Sequence, residues 1–189
     1  MNIPFSPPDI SELEIQEVTE ALRSGWITTG PRTKQLEKNI ASYVGVNRCV
    51  CLNSQTACQE MALRVMGIGP GDEVIVPAYT YTATASVVCH VGATPVLIDC
   101  QKDSLEMDYD AVEQAVNEKT KAIIPVDLAG IPCDYDRLFA IAGSKRGCFR
   151  PATDIQKALG RIAIMADTAH AFGAKLGQKV IGSVADFSS

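Results

Sequence analysis

No apolar run among the 189 residues approaches the roughly 18 consecutive positions that a membrane-spanning helix needs, so no membrane partner is expected. Basic residues are outnumbered, 17 Lys and Arg against 22 Asp and Glu, for a net charge of −5. That balance leaves no electrostatic footprint for nucleic acid. Histidines number two, and Cys49-Val-Cys51 falls one residue short of the spacer that zinc and redox pairs favour; no metal is expected. The opening stretch from Met1 to Gln16 has neither the basic start nor the apolar core of a secretory leader, which predicts a cytoplasmic protein. The cysteines number seven. An odd count without a leader points to a reducing compartment, and their apolar neighbours predict buried free thiols.

The composition is that of a globular domain, 47% hydrophobic and 21% charged, in a chain long enough to bury a core. Ser11-Glu12-Leu13-Glu14 is a capping box, with Ile10 and Ile15 set for a hydrophobic staple. The spacing predicts a helix that buries Ile15, Val18 and Leu22 on one face and stops at Gly25. After the Trp26–Pro31 loop, a second helix carries Leu36, Ile40, Tyr43 and Val44 and ends at Gly45. Apolar strands are then predicted at Cys49–Leu52, Glu73–Pro77, Pro95–Asp99, Ala122–Val126 and Ile162–Ala166, alternating with helices near 56–66, 80–91, 108–117 and 134–142. Strands without polar alternation, separated by helices, imply the α/β class: a mostly parallel sheet with helices on both faces. Residues 143–161 are long for a connection and predict an excursion or an extra helix. Ala174–Leu176 and Lys179–Ile181 read as a hairpin across Gly177-Gln178. The ending Asp186-Phe-Ser-Ser189 carries no cap or tail, so the expectation is a truncation inside a larger domain.

In such a sheet, ligands bind beyond the C-terminal strand ends, where four segments fall. Asn53-Ser54-Gln55-Thr56-Ala57 opens a helix whose free N–H groups could hold an anion; an ordinary N-cap explains it equally. The Gly-rich run and Lys-Ser/Thr ending of a P-loop are missing. Tyr79 and Tyr81, at the end of the strand 73–77, could present an aromatic face to a flat heterocycle, or pack elsewhere. Asp167, ending an apolar strand in Met165-Ala-Asp-Thr-Ala-His170, would need a cationic or N–H partner to stay ionised. A protonated pyridine nitrogen would supply one, and an N-cap is the plainer alternative. Asp127, in Val126-Asp-Leu-Ala-Gly130, is as readily a turn residue as a ligand contact.

Gly25-Trp-Ile-Thr-Thr-Gly-Pro31, Asn53-Ser-Gln-Thr-Ala57, Pro77-Ala-Tyr-Thr-Tyr-Thr-Ala-Thr84, Gly92-Ala-Thr-Pro-Val96 and Met165-Ala-Asp-Thr-Ala-His-Ala171 follow one another in an order that resembles the DegT/StrS family. Its members are pyridoxal phosphate (PLP)-dependent aminotransferases acting on nucleotide-linked keto sugars. The resemblance implies that residues 1–189 are the N-terminal part of a PLP-binding large domain like that of aspartate aminotransferase. The remainder and a small C-terminal domain would be absent.

By the same resemblance, Ser54, Gln55 and Thr56 stand at the turn that holds the PLP phosphate, with Gln55 in place of the usual glycine. Tyr81 stands where a ring stacks on the pyridine, Asp167 where a carboxylate pairs with its nitrogen, and His170 near the 3-hydroxyl. Trp26, Thr28 and Thr29 match a loop near the sugar. Asp127 replaces a frequent histidine and receives no role. The family's catalytic lysine is expected beyond Ser189, because Lys157, Lys175 and Lys179 lack its context; the 189-residue chain itself is therefore expected to be inactive. The implied substrates are a nucleotide-linked keto sugar with glutamate and 2-oxoglutarate, and the implied assembly is a homodimer. A PLP-dependent sugar dehydratase and a non-catalytic binding or regulatory relative are the alternatives.

Overall fold

The structure, a computed structural model, describes residues 7–189; the start of the segment inspected for a leader, residues 1–6, lies outside them. The strands are β1 (Glu73–Pro77), β2 (Thr94–Ile98), β3 (Thr120–Ile123), β4 (Ala163–Ala166), β5 (Lys175–Leu176), β6 (Lys179–Val180) and β7 (Phe187–Ser188). Five of them form one sheet in the order β2-β1-β3-β4-β7, with every neighbouring pair parallel. The helices are α1 (Glu12–Arg23), α2 (Pro31–Val44), α3 (Gln55–Met66), α4 (Ala83–His90), α5 (Tyr109–Ala115), α6 (Tyr135–Ser144) and α7 (Asp154–Leu159). Within 143–161, where an excursion or an extra helix is expected, the chain forms α7, and β5 and β6 pair as the expected antiparallel hairpin.

The two-residue period of the strands divides the core into two layers. Ile75, Ile123 and Ile164 point to one face, where they pack with Val112 of α5 and Leu138 and Ile141 of α6. Val74, Val76, Ala122, Ala163 and Met165 point to the other, against Leu63 and Met66 of α3 and Val87 and Val88 of α4. Helices therefore cover both faces, as a parallel sheet requires. The β3 ladder stops earlier than predicted because Pro125 has no N–H to give. Pairing resumes in an isolated parallel bridge between Val126 and Asp167.

Three expectations need correction. The capping box of α1 forms, with Ser11 N donating to Glu14 Oε2 at 2.6 Å and Leu13 N to Ser11 Oγ at 3.2 Å. Yet Ile15, Val18 and Leu22 are exposed and α1 buries no residue. Nothing in the described residues packs on that face, and α1 is tied to α2 by ion pairs from Arg32 to Glu17 and Glu20. Cys49–Leu52 is not a strand: Val50 is exposed and the Cys51 N–H is satisfied by Glu37 Oε1 at 3.0 Å. The segment pairs with neither free edge of the sheet, β2 or β7, and lies beside α2 through that Glu37 contact. The cysteines are free as expected, but only Cys133 is buried.

Helix α2 is fixed to the segment after β4. Tyr43 stacks near Phe172 with ring centroids 5.6 Å apart. Gly182, at φ 108°, sits so close that a Cβ there would lie 2.9 Å from Val44 Cγ1.

Candidate active site

Helix α3 begins at the phosphate-turn candidates. Ser54 is its N-cap, with Oγ accepting from Ala57 N at 3.1 Å. The N–H groups of Gln55 and Thr56 have no acceptor among the described residues, so the helix offers free donors at its positive end. Gln55 folds back from this turn, its Nε2 donating to Gln59 Oε1 at 2.6 Å and to Ser189 Oγ at 3.1 Å. Gln59 Nε2 in turn donates to the Met165 carbonyl of β4 at 3.2 Å, which anchors α3 to the strand that delivers Asp167.

Asp167 follows β4 directly and is 6% exposed. Its main chain is locked on both sides: Asp167 N donates to Pro125 O at 2.9 Å and Asp167 O accepts from Asp127 N at 3.0 Å. Its carboxylate accepts from the Thr84 hydroxyl at 3.0 Å and from Ala169 N at 3.3 Å. Burial pushes this carboxyl above the ordinary aspartate range; the Thr84 hydroxyl, the Ala169 N–H, the nearby His170 and Gln55 pull in the opposite direction. No Lys or Arg forms an ion pair with Asp167 among the described residues. The Asp167 carboxyl is thus buried with two neutral donors and without a Lys or Arg partner among the described residues.

Thr84 lies on α4, 1% exposed, and its N–H donates to the Tyr81 carbonyl at 3.3 Å. That contact keeps Tyr81 at the same edge, where the residue is 78% exposed. Thr84 was not singled out from sequence; in the run Thr80-Tyr-Thr-Ala-Thr84 every hydroxyl looks alike. His170 is exposed, and its Nδ1 accepts from Ala129 N at 3.4 Å. Ala129 holds φ 56°, a left-handed conformation that costs a non-glycine residue about 1 kcal/mol or more.

Asp127 is fully buried. Cys133 N donates to its Oδ1 at 2.9 Å and the Tyr135 hydroxyl to its Oδ2 at 2.8 Å. Burial raises its carboxyl as well, partly offset by these donors and reinforced by the charge of Asp167.

The structure thus brings Gln55, Asp167 and His170 together and sets Ser54, Thr56 and Tyr81 on the elements beside them. Trp26, Thr28 and Thr29 lie apart, with no hydrogen bond to that group among the described residues. The Trp26 indole donates to Thr29 O at 3.2 Å and lies across Gly30, where a Cβ would collide with the indole ring. Trp26 and Thr29 border a shallow cleft with Lys34 and Lys38. Lys157 is paired with Asp154 at 2.9 Å, and Lys175 and Lys179 are exposed on the hairpin.

The chain is 41% identical over 184 residues to the spore coat polysaccharide biosynthesis protein SpsC of Bacillus subtilis, covering 97% of this chain and 43% of SpsC. Spr1654 of Streptococcus pneumoniae, described as a sugar aminotransferase and solved in apo, PMP and PLP forms, is 60% identical with a TM-score of 0.98. That match covers 100% of this chain and 47% of the apo-form chain. A GDP-4-keto-6-deoxymannose-3-dehydratase, solved with a trapped PLP-glutamate geminal diamine, is 25% identical with a TM-score of 0.82, covering 96% of this chain and 45% of its own. The chain spans under half the length of these relatives. The architecture is that of the large domain of PLP-dependent aminotransferases. A family model matches residues 8–189, and the chain belongs to the DegT/DnrJ/EryC1/StrS aminotransferase family.

Proposed function

We propose that the intact protein is a PLP-dependent aminotransferase that moves an amino group from glutamate to a nucleotide-linked keto sugar, with residues 1–189 supplying the cofactor-binding part of its large domain. The observation that carries this reading is Asp167, a carboxylate 6% exposed with hydroxyl and amide donors but no cation. The residues present fit PLP. The free N–H groups of Gln55 and Thr56, with the Ser54 hydroxyl, suit a phosphate. Tyr81 offers a ring face to the pyridine. When bound, PLP supplies an electron sink for the carbon that gains or loses nitrogen.

The chain's own residues do the rest. Asp167 holds a proton on the pyridine nitrogen, and Thr84 fixes the carboxylate while doing so. His170, with Nδ1 occupied as an acceptor, keeps its proton on Nε2 as a donor for the 3-hydroxyl region. Trp26, Thr28 and Thr29 are assigned to the sugar. The exposed apolar face of α1, carrying Leu13, Val18 and Leu22, supports burial against a second copy or the rest of the protein, and hence a homodimer. Free thiols support a cytoplasmic setting.

The deciding experiment incubates full-length protein with PLP, glutamate and nucleotide-linked 4-keto sugars, following 2-oxoglutarate and the mass of the sugar product. Amination with stoichiometric 2-oxoglutarate is the expected result. Net deoxygenation of the sugar would make the protein a dehydratase, and PLP binding without turnover across the substrate set would make it a binding module.

A further inference from the structure

Asp127 is the most enclosed acidic group near the site, and neither the resemblance nor the mechanism above uses it. It is not needed to start α6, because Asp134 already caps that helix, accepting from Arg137 N at 2.9 Å. Instead its carboxyl reaches forward along the chain to two donors, Cys133 N at 2.9 Å and the Tyr135 hydroxyl at 2.8 Å. Cys133 Sγ adds a third tie, to Val126 O at 3.2 Å. The segment held this way touches both site residues. Asp127 N donates to Asp167 O at 3.0 Å, and Ala129 N to His170 Nδ1 at 3.4 Å. Gly130, at φ 80°, fits so tightly that a Cβ there would lie 3.2 Å from the His170 carbonyl.

We propose that Asp127 is a positioning residue that sets the tautomer of His170 and the placement of Asp167 by bolting the Val126–Gly130 turn to the start of α6. Ala129 stays left-handed, at φ 56°, because the turn is held on both sides. Its N–H then faces Nδ1, which must remain an acceptor, so the ring proton resides on Nε2. Without the bolt, two buried donors lose their acceptor, Ala129 relaxes to an ordinary backbone conformation, and Nδ1 is free to carry the proton. Burial raises the Asp127 carboxyl, and a neutral group of the same shape can do the same work. Asparagine preserves the arrangement: Oδ1 accepts from Cys133 N, and Nδ2 donates to the Tyr135 oxygen.

The importance of this arrangement rests on His170 and Asp167 facing the cofactor, but its test does not. In cofactor-free full-length protein, nitrogen-15 NMR reads the His170 tautomer directly, above the usual imidazole titration range, with His170→Gln identifying the signals. Wild type and Asp127→Asn are expected to show His170 almost wholly as the Nε2–H form. In Asp127→Ala the Nδ1–H fraction is expected to rise at least about threefold, and the PLP dissociation constant about tenfold. Should Asp127→Ala fail to fold, Tyr135→Phe, which removes one of the two donors, is expected to shift the tautomer in the same direction. An unchanged tautomer in folded Asp127→Ala, or in Tyr135→Phe where Asp127→Ala does not fold, overturns the proposal. So does an Asp127→Asn protein that behaves like Asp127→Ala, since charge rather than position would then be responsible. A shifted tautomer in a protein that binds no PLP would uphold the positioning role while refuting the cofactor reading.

Discussion

Thr84 and Asp167, 83 residues apart in sequence, meet at the edge of the sheet through a 3.0 Å hydrogen bond from hydroxyl to carboxylate. Both are almost wholly buried, so water does not compete for either group. Replacing Thr84 with valine keeps its volume and removes the donor. PLP affinity is expected to fall about fivefold, or about 1 kcal/mol, with Thr84→Ser restoring most of it. Equilibrium titration of PLP by absorbance measures this, and an unchanged affinity in Thr84→Val would show that the bond does not serve the cofactor.

In the proposed function, Asp167 itself bears more of the chemistry. A neutral Asn cannot hold a proton on the pyridine nitrogen, so Asp167→Asn in the full-length protein is expected to lower kcat at least about 100-fold, about 2.7 kcal/mol of barrier. A stopped-flow half-reaction with glutamate separates this loss from binding. Near-normal rates in Asp167→Asn would remove the residue from the mechanism.

Stability should depend on pH through Asp127 and Asp167, both raised by burial from the ordinary aspartate value of 3.8. Between 3.8 and the raised folded-state value, the folded form binds more protons than the unfolded form. Their contribution is therefore fully present below 3.8 and is lost as pH rises through the folded-state value. Asp127→Asn removes one of these groups. In cofactor-free protein it is expected to melt about 2–4 °C above wild type at neutral pH, with the gain vanishing as pH falls below the ordinary aspartate range. Thermal melts across that interval test this; a gain that grows on acidification would contradict it.

The end of β7 is held by a forked ion pair. Arg161 Nη1 and Nη2 donate to the two Asp186 oxygens at 2.7 Å each, and Asp186 Oδ2 also accepts from Ile164 N at 2.9 Å. The guanidinium lies 4.8 Å from the Phe139 ring centroid. Both side chains are shielded, 16% and 14% exposed, so removing one partner leaves the other poorly solvated. Asp186→Ala is expected to cost about 3 kcal/mol and Arg161→Lys about 1–2 kcal/mol. Urea unfolding of each variant measures this, and losses below about 0.5 kcal/mol would mean the pair behaves as a surface bridge.

Much of the fold was legible because local rules agreed with tertiary packing. Ser11 and Glu14 formed their box, Gly45 ended α2 at φ 82°, and the apolar runs at 73–77 and 162–166 became core strands within a residue. Failures arose where a pattern needs a partner to take effect. Ile15, Val18 and Leu22 have helical spacing, but spacing does not say what covers a face. Cys49–Leu52 has strand composition, but its Cys51 N–H is taken by the Glu37 side chain rather than by a neighbouring strand. Asp167, Gln55 and His170 were singled out by motif order, and the structure places them near one another. Thr84 and Asp127 were not: a threonine among threonines, and an aspartate after a strand, look like turn residues until long-range contacts show which one is enclosed.

The Gln55–Ser189 hydrogen bond joins residues 134 positions apart. At a translation rate of about 5–20 residues per second, Gln55 is made about 7–27 seconds before Ser189 leaves the synthetic centre. During that interval Gln55 has only its Gln59 partner of the two, and the start of α3 lacks its tie to the residue that follows β7. Any chaperone or cofactor that engages the turn early would do so before β7 has docked.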